Sequence, residues 1–243
     1  MSTEEIMSDT NKEPAIELSD VWVQYQLRHA HDYNLKRTVS NFVARRHEQR
    51  EVIAAVQGVT FDVPKGARLG LVGPNGSGKS TLLAVMAGVL TPTRGLARVH
   101  GRVLALLGGP DEGLDPEQSG SENAIALGIR LGENPDLMAN RLDEIREFSG
   151  LGRRFDHPTY TYSSGMQVRL RFSAITSIKA DVLLVDEGIG AADSEFNDRA
   201  ADRLASFYSA SGTLILASHS EEVLETHCEQ TLRLDCGFLV SAQ

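Results

Sequence analysis

Apolar residues recur at Ile16, Leu18, Val21 and Val23 in the segment Ala15–Tyr25, a short-period pattern that predicts a strand. VQGVTFDV (56–63) and ARLGLVG (67–73) predict two more, separated by the turn Pro64-Lys65-Gly66. Between the first strand and the second, residues 35–51 place Leu35, Val39, Phe42 and Val43 near one side of a basic amphipathic helix. A helix is expected from Lys79 to Ala87, then two short strands around Gly101, then a Gly- and Pro-rich loop over 108–120. Helical periodicity follows over 121–131, 135–149 and 163–179. The remainder alternates: strand 182–187, helix near 194–210, strand 213–218, a helix from Ser220 and strand 231–235. Apolar strands alternating with helices predict an α/β fold whose mainly parallel sheet is covered on both faces. Residues 1–14 read as a flexible tail, leaving one domain over 15–243.

Composition narrows the partners. With 24 basic and 33 acidic side chains the net charge is −9, so the overall field does not favour nucleic acid. Cys228 and Cys236 fit neither a zinc spacing nor a disulfide framework, and are expected as reduced thiols at or near the core, in keeping with a reducing cytosol. The acidic, polar N-terminus is unlike a signal peptide, and no stretch approaches the roughly 20 apolar residues of a membrane span. A role at a membrane would therefore require another chain to supply the spans.

The chemistry is concentrated in a few short segments. Gly73-Pro74-Asn75-Gly76-Ser77-Gly78-Lys79-Ser80 matches the phosphate-binding pattern of two glycines, a lysine and a Ser/Thr at every position. Glycine frequencies of about 7% make that match, in a chain of this length, an event on the order of one in a hundred by chance. Glycines let backbone N–H groups converge on phosphate oxygens, and the following helix, which contains Thr81, presents its positive end to the same anion. Lys79 would reach the β- and γ-phosphates of ATP, and Ser80 would offer a hydroxyl to Mg²⁺. A second apolar strand ends in Asp186-Glu187, at the carboxyl edge where open α/β sheets bind ligands. Asp186 would hold Mg²⁺ through water, and Glu187 would polarise or orient the attacking water.

Tyr162-Ser163-Ser164-Gly165-Met166-Gln167, between these two segments, resembles the signature of ABC ATPases, usually L-S-G-G-Q. Tyr162, Ser164 and Met166 depart from that pattern; Ser163 and Gly165 keep it. Ser163 can cap the helix that follows, leaving its amides for a γ-phosphate. Gly190-Ala191-Ala192-Asp193 resembles the loop that makes contacts across an ABC dimer. His219, after the strand 213–218, matches the histidine that touches the γ-phosphate, with a structural or solvent-facing histidine as the alternative. Tyr25 reads either as the ring that stacks on adenine or as a core tyrosine. YSSGMQVRLRFS (162–173), DEGIGAAD (186–193) and GLDPEQSGSENAIALG (113–128) are similar to the ATPase subunits of polysaccharide exporters that move O-antigen, capsule, teichoic acid or galactan.

That resemblance implies a P-loop NTPase of the ABC type, with a small antiparallel β part and a helical subdomain inserted at about 113–178. It implies ATP and Mg²⁺ as ligands, a second copy of the chain as partner, and a separate integral membrane subunit. The protein would lie at the cytoplasmic face of the cell membrane and act indirectly on a lipid-linked glycan. The family's loop glutamine is not assigned: Gln118 lies close to the next helix, while Asp111 and Glu112 stand nearer the expected place. Residues 35–51, with Lys36, Arg37, Arg45, Arg46 and Arg50, suit either anionic lipid and the substrate's head group or plain solvent exposure. Import or lipid-efflux ATPases remain the alternatives among transporters. Soluble ABC ATPases usually carry coiled-coil insertions, zinc cysteines or tandem domains, none of which this sequence has. A non-catalytic nucleotide sensor is disfavoured by Lys79, Asp186, Glu187 and His219.

Overall fold

The computed structural model describes residues 14–26, 52–108, 112–186, 194–210, 212–219 and 221–242. The expected helix at 35–51, Asp111, Glu187 and the segment 190–193 with Asp193 lie outside the described residues.

Two sheets organise the chain. The larger has the order β5 (Val103–Leu106), β6 (Val182–Asp186), β7 (Thr213–Ser218), β3 (Arg68–Val72), β8 (Gln230–Asp235), β9 (Phe238–Ala242). All its neighbours are parallel except β9, which runs antiparallel to β8. The smaller is antiparallel, with β1 (Pro14–Gln26) between β2 (Val52–Pro64) and β4 (Arg94–Val99). Helix α1 (Lys79–Met86) follows β3. Four helices lie between β5 and β6: α2 (Gly120–Arg130), α3 (Pro135–Asn140), α4 (Leu142–Ser149) and α5 (Ser164–Thr176). Finally α6 (Ser194–Ser209) and α7 (Glu221–His227) join β6 to β7 and β7 to β8.

The apolar runs in β6 and β7 are explained by burial on both faces. Leu183, Val185, Leu214 and Leu216 face a core shared with α2–α6, including Met138, Phe155, Leu170 and Phe196. The alternate residues Val182, Leu184, Ile215 and Ala217 face a second core, built from the small sheet and Leu82, Leu83 and Met86 of α1. Strand periodicity thus sorts one continuous apolar segment between two cores. Where the small sheet has a single buried face, β2 alternates instead, with Phe61 and Val63 buried and Thr60 and Asp62 exposed.

Two expectations are corrected and one strand is added. The helix expected over 135–149 is two helices broken at Arg141, whose guanidinium Nη1 lies 3.1 Å from Glu133 Oε2. Strand β2 starts at Val52 rather than at 56, because it pairs with the end of β1 as far as Gln26. Strand β9 was not anticipated; it follows a tight turn in which Cys236 and Gly237 both have positive φ (47° and 83°), the backbone that suits a two-residue hairpin. The cysteines also part company. Cys228 is half-buried and burial pushes its thiol up to about 12, whereas Cys236 is exposed in the hairpin turn and not at the core.

Candidate active site

The three neighbouring strands β6, β7 and β3 end together. Their register pairs Val72 with Ser218, and Asp186 with Ala217. Adjacent strands lie about 4.8 Å apart. The loop beginning at Gly73, the carboxylate of Asp186 and the segment Ser218-His219 therefore share one edge of the sheet. This is the carboxyl edge, where α/β folds hold ligands.

The loop from Gly73 to Gly78 is packed from outside. A Cβ on Gly73 would stand 2.3 Å from the carbonyl oxygen of Leu234, and one on Gly78 (φ +106°) 2.3 Å from that of Ala55. Both contacts are to backbone, so only glycine lets the loop close this tightly against β8 and β2. Gly237 N–H of the β8–β9 turn donates to the Ser77 carbonyl at 2.9 Å. The same turn is held to β2, where Gln57 N–H and Nε2 donate at 2.8 Å to the carbonyls of Gly237 and Cys236. This buttress was not legible beforehand because its residues are far apart in sequence.

Within that frame the groups needed for a polyphosphate are presented together. Lys79 is buried (5% exposed), and its ammonium donates to the carbonyls of Gly73 at 2.8 Å and Pro74 at 3.3 Å. Gly78 occupies the N-cap of α1, which has no side-chain cap and no acid in its first turn. The first amides of α1 and the positive end of its dipole are thus left for an anion. Ser77 Oγ is buried with no hydrogen-bond partner among the described residues. Asn75, Gly76 and Ser80 are exposed and Thr81 is half-buried.

These donors fit a phosphate chain, and the nearby oxygens fit Mg²⁺. Ser80 and the half-buried Asp186 would offer two hard oxygen ligands. Mg²⁺ characteristically takes one or two protein oxygens and completes its shell with water and substrate phosphates.

Other expected residues fall elsewhere. Tyr25 is not a core residue: it is 44% exposed and pairs across the strands with Ile53, two residues from the Ala55 that abuts Gly78. His219 is exposed at the end of β7. Ser163 is the N-cap of α5, its Oγ accepting from Met166 N–H at 3.3 Å. Ser163 and Ser164 are exposed and Gly165 is half-buried, at the start of a helix that packs on α2 and α4 of the helical layer. Gln118 lies next to the Ser119 cap of α2, and its carbonyl accepts from Thr159 N–H at 2.9 Å; Glu112 is exposed. A cleft of about 710 Å³ lies at the opposite edge of the sheet, around Arg102, Asp181 and Phe207, away from all of these groups.

Tyr162 precedes the cap and is buried, its hydroxyl donating to the Arg154 carbonyl at 2.7 Å. Burial pushes its phenol from an ordinary value near 10 up to about 12. The folded chain therefore keeps a proton that the unfolded chain loses near pH 10, so this contribution is intact below pH 10 and disappears as pH rises toward 12. Tyr162→Phe is expected to flatten that alkaline loss, measured by denaturant unfolding on either side of pH 10.

Comparison with known proteins accords with this geometry. The family model described as ABC transporter matches residues 56–190. The O-antigen export system ATP-binding protein RfbB of Klebsiella pneumoniae is 34% identical over 229 residues, covering 92% of this chain and 91% of that protein. The RfbB of Myxococcus xanthus is 37% identical over 195 residues, covering 80% of this chain but 44% of its own, so the chain spans less than half of that relative. Among solved structures, the dimeric post-hydrolysis state of the ATP-binding cassette MJ0796, bound to ADP and Pi, superposes with a TM-score of 0.75 at 19% identity, covering 94% and 97% of the two chains.

The chain belongs to the ABC transporter family and has the cassette fold, a parallel sheet with a small antiparallel part. It is an ATP-binding, ATP-hydrolysing cassette of that family.

Proposed function

We propose that two copies of this chain close around two ATP molecules and that the cycle powers export of a lipid-linked polysaccharide through a separate membrane subunit. The observation that carries the reading is the separation of two anion-seeking helix starts. One, at Gly78–Lys79, lies at the strand edge beside Asp186 and His219; the other, capped by Ser163, is exposed on the helical layer. In a head-to-tail pair each triphosphate has Gly73, Asn75, Gly76, Ser77, Gly78, Lys79, Ser80 and Thr81 from one copy. Ser163, Ser164 and Gly165 come from the other, with Asp193 at the contact between copies. ATP stabilises the closed pair because the second set of amides meets its charge only there.

Tyr25 supplies an exposed ring for adenine, with Ile53 beside it. Ser80 and Asp186 would hold Mg²⁺, which when bound neutralises charge on the β- and γ-phosphates. Glu187 takes a proton from the attacking water as the water oxygen bonds to the γ-phosphorus and the bond to the ADP oxygen breaks. His219 steadies the γ-phosphate. Loss of that group releases the pair.

The glycan as substrate is supported by the names of relatives such as the Klebsiella protein, an O-antigen export component matched over most of both chains. No described helix is long and apolar enough to cross a membrane. The test is depletion of the chain in its own cell. Lipid-linked glycan is expected to accumulate on the inner side, and a multi-span membrane protein is expected to co-purify. An unchanged glycan pool would overturn the export reading and leave an import or lipid-efflux ATPase.

A further inference from the structure

The connection between β5 and α2 is fastened at both described ends to the signature helix and the strap before it. At the β5 end, Arg171 of α5, 8% exposed, donates from Nη2 to the Leu107 carbonyl at 2.6 Å. At the α2 end, Asn123 is fully buried and all of its amide is used. Its Oδ1 accepts from Asp115 N–H at 2.8 Å, and its Nδ2 donates to the carbonyls of Asp115 (2.9 Å), Ser119 (3.0 Å) and Gln118 (3.1 Å). Thr159 completes the knot: Oγ1 donates to the same Asp115 carbonyl at 2.8 Å and lies 3.4 Å from Asn123 Nδ2. The strap also pairs by backbone, Thr159 N–H to the Gln118 carbonyl at 2.9 Å and Tyr160 N–H to the Pro116 carbonyl at 3.0 Å. Only two residues separate Tyr160 from Ser163.

We infer that Asn123, Thr159 and Arg171 are positioning residues that make the two described ends of the β5–α2 connection, at Leu107 and at 115–119, one rigid unit with the signature amides. The inference rests on the proposed ATP sandwich, because the amides it positions act on the partner copy's nucleotide. None of the three residues belongs to the phosphate loop, and Arg171 reaches the sheet edge only at the backbone carbonyl of Leu107. Their loss should therefore leave the binding of nucleotide to a single chain in place and affect the step that needs two chains. A residue important only for folding has no reason to respect that division.

The experiment uses the full chain with Glu187→Gln to block turnover, and reads two quantities: binding of a fluorescent ATP analogue at low protein concentration, and ATP-driven dimerisation by sedimentation. Thr159→Val removes one buried hydroxyl at nearly constant volume. It is expected to weaken dimerisation by about five- to tenfold, the worth of one buried hydrogen bond, with analogue binding unchanged. Thr159→Ser, which keeps the donor, is expected to restore it. Arg171→Lys tests the other fastening and serves should Thr159→Val fail to fold; it is expected to show the same split, and in the turnover-competent chain a fall in kcat with KM held. Equal dimerisation in the parent and in a folded variant overturns the tether. Equal losses of analogue binding and dimerisation, not restored by serine, also overturn it. A parent chain that does not dimerise with ATP overturns the sandwich itself, and the tether with it.

Discussion

Replacing Glu187 by glutamine is expected to lower ATP turnover by roughly 10²–10⁴-fold while leaving nucleotide binding in place. The division follows from position. Glu187 comes directly after Asp186, the last residue of β6, whose register partner Ala217 lies one residue before Ser218 and two before His219. In the proposed cycle the carboxylate that follows Asp186 in sequence is the base for a γ-phosphate held by Lys79 and the amides of α1. The glutamine side chain has almost the same volume, so the substitution changes the chemistry of the group and hardly its size. What it lacks is a basic oxygen to accept a proton from water, the contribution of a general base. Phosphate release measured beside equilibrium ATP binding checks the prediction. Turnover equal to that of the parent chain would remove Glu187 from the reaction and leave water orientation to another group.

The parts of the molecule that could be read beforehand are those in which one segment carries its own signal. β3, β6 and β7 announce themselves as apolar runs because both faces are covered, and the phosphate loop is recognisable because glycine spacing and helix start are local requirements. Ser163 as the cap of α5 is equally local: a hydroxyl three residues before the amide it accepts. Tyr25 was ambiguous because β1 alternation is compatible with either face; its 44% exposure comes from its place near the end of the ribbon beside Ile53. What escaped is what depends on distant residues. Apolar periodicity continues from α3 into α4, so nothing local marks the break at Arg141, where the guanidinium turns back to Glu133. Asn123 looks like one more polar residue in a helix, and only the fold brings Asp115 and Thr159 to it. Arg171 sits within VRLRFS, where a charged residue on a helix reads as exposed, yet it is buried against the Leu107 carbonyl.

Two alanine substitutions in one loop are expected to behave very differently, and the contrast tests whether outside packing sets the shape of the phosphate site. Gly76 and Gly78 both have positive φ, at 81° and 106°, so each pays a left-handed strain of about 1–2 kcal/mol when given a side chain. They differ in surroundings. A Cβ on Gly76 meets nothing within 4 Å, whereas one on Gly78 stands 2.3 Å from the Ala55 carbonyl oxygen. Ala55 is backbone in β2, at a register shift between Ala54, paired with Gln24, and Val56, paired with Val23, so its carbonyl is held on both sides and cannot swing aside as a side-chain tip would. The loop must yield instead, and it carries the N-cap of α1 and the neighbouring Lys79. Gly76→Ala should thus cost a few degrees in Tm and less affinity than Gly78→Ala, because its Cβ displaces no backbone and meets at most the phosphates that Gly76 helps to hold. Gly78→Ala should lose ATP affinity on the order of 10²-fold, the usual consequence of displacing a positioned group by about 1 Å. Calorimetric titration with ATP and thermal unfolding of both variants decide the matter. Equal affinity losses would mean that backbone strain alone governs the loop, and that its contact with β2 has no part in holding the phosphates.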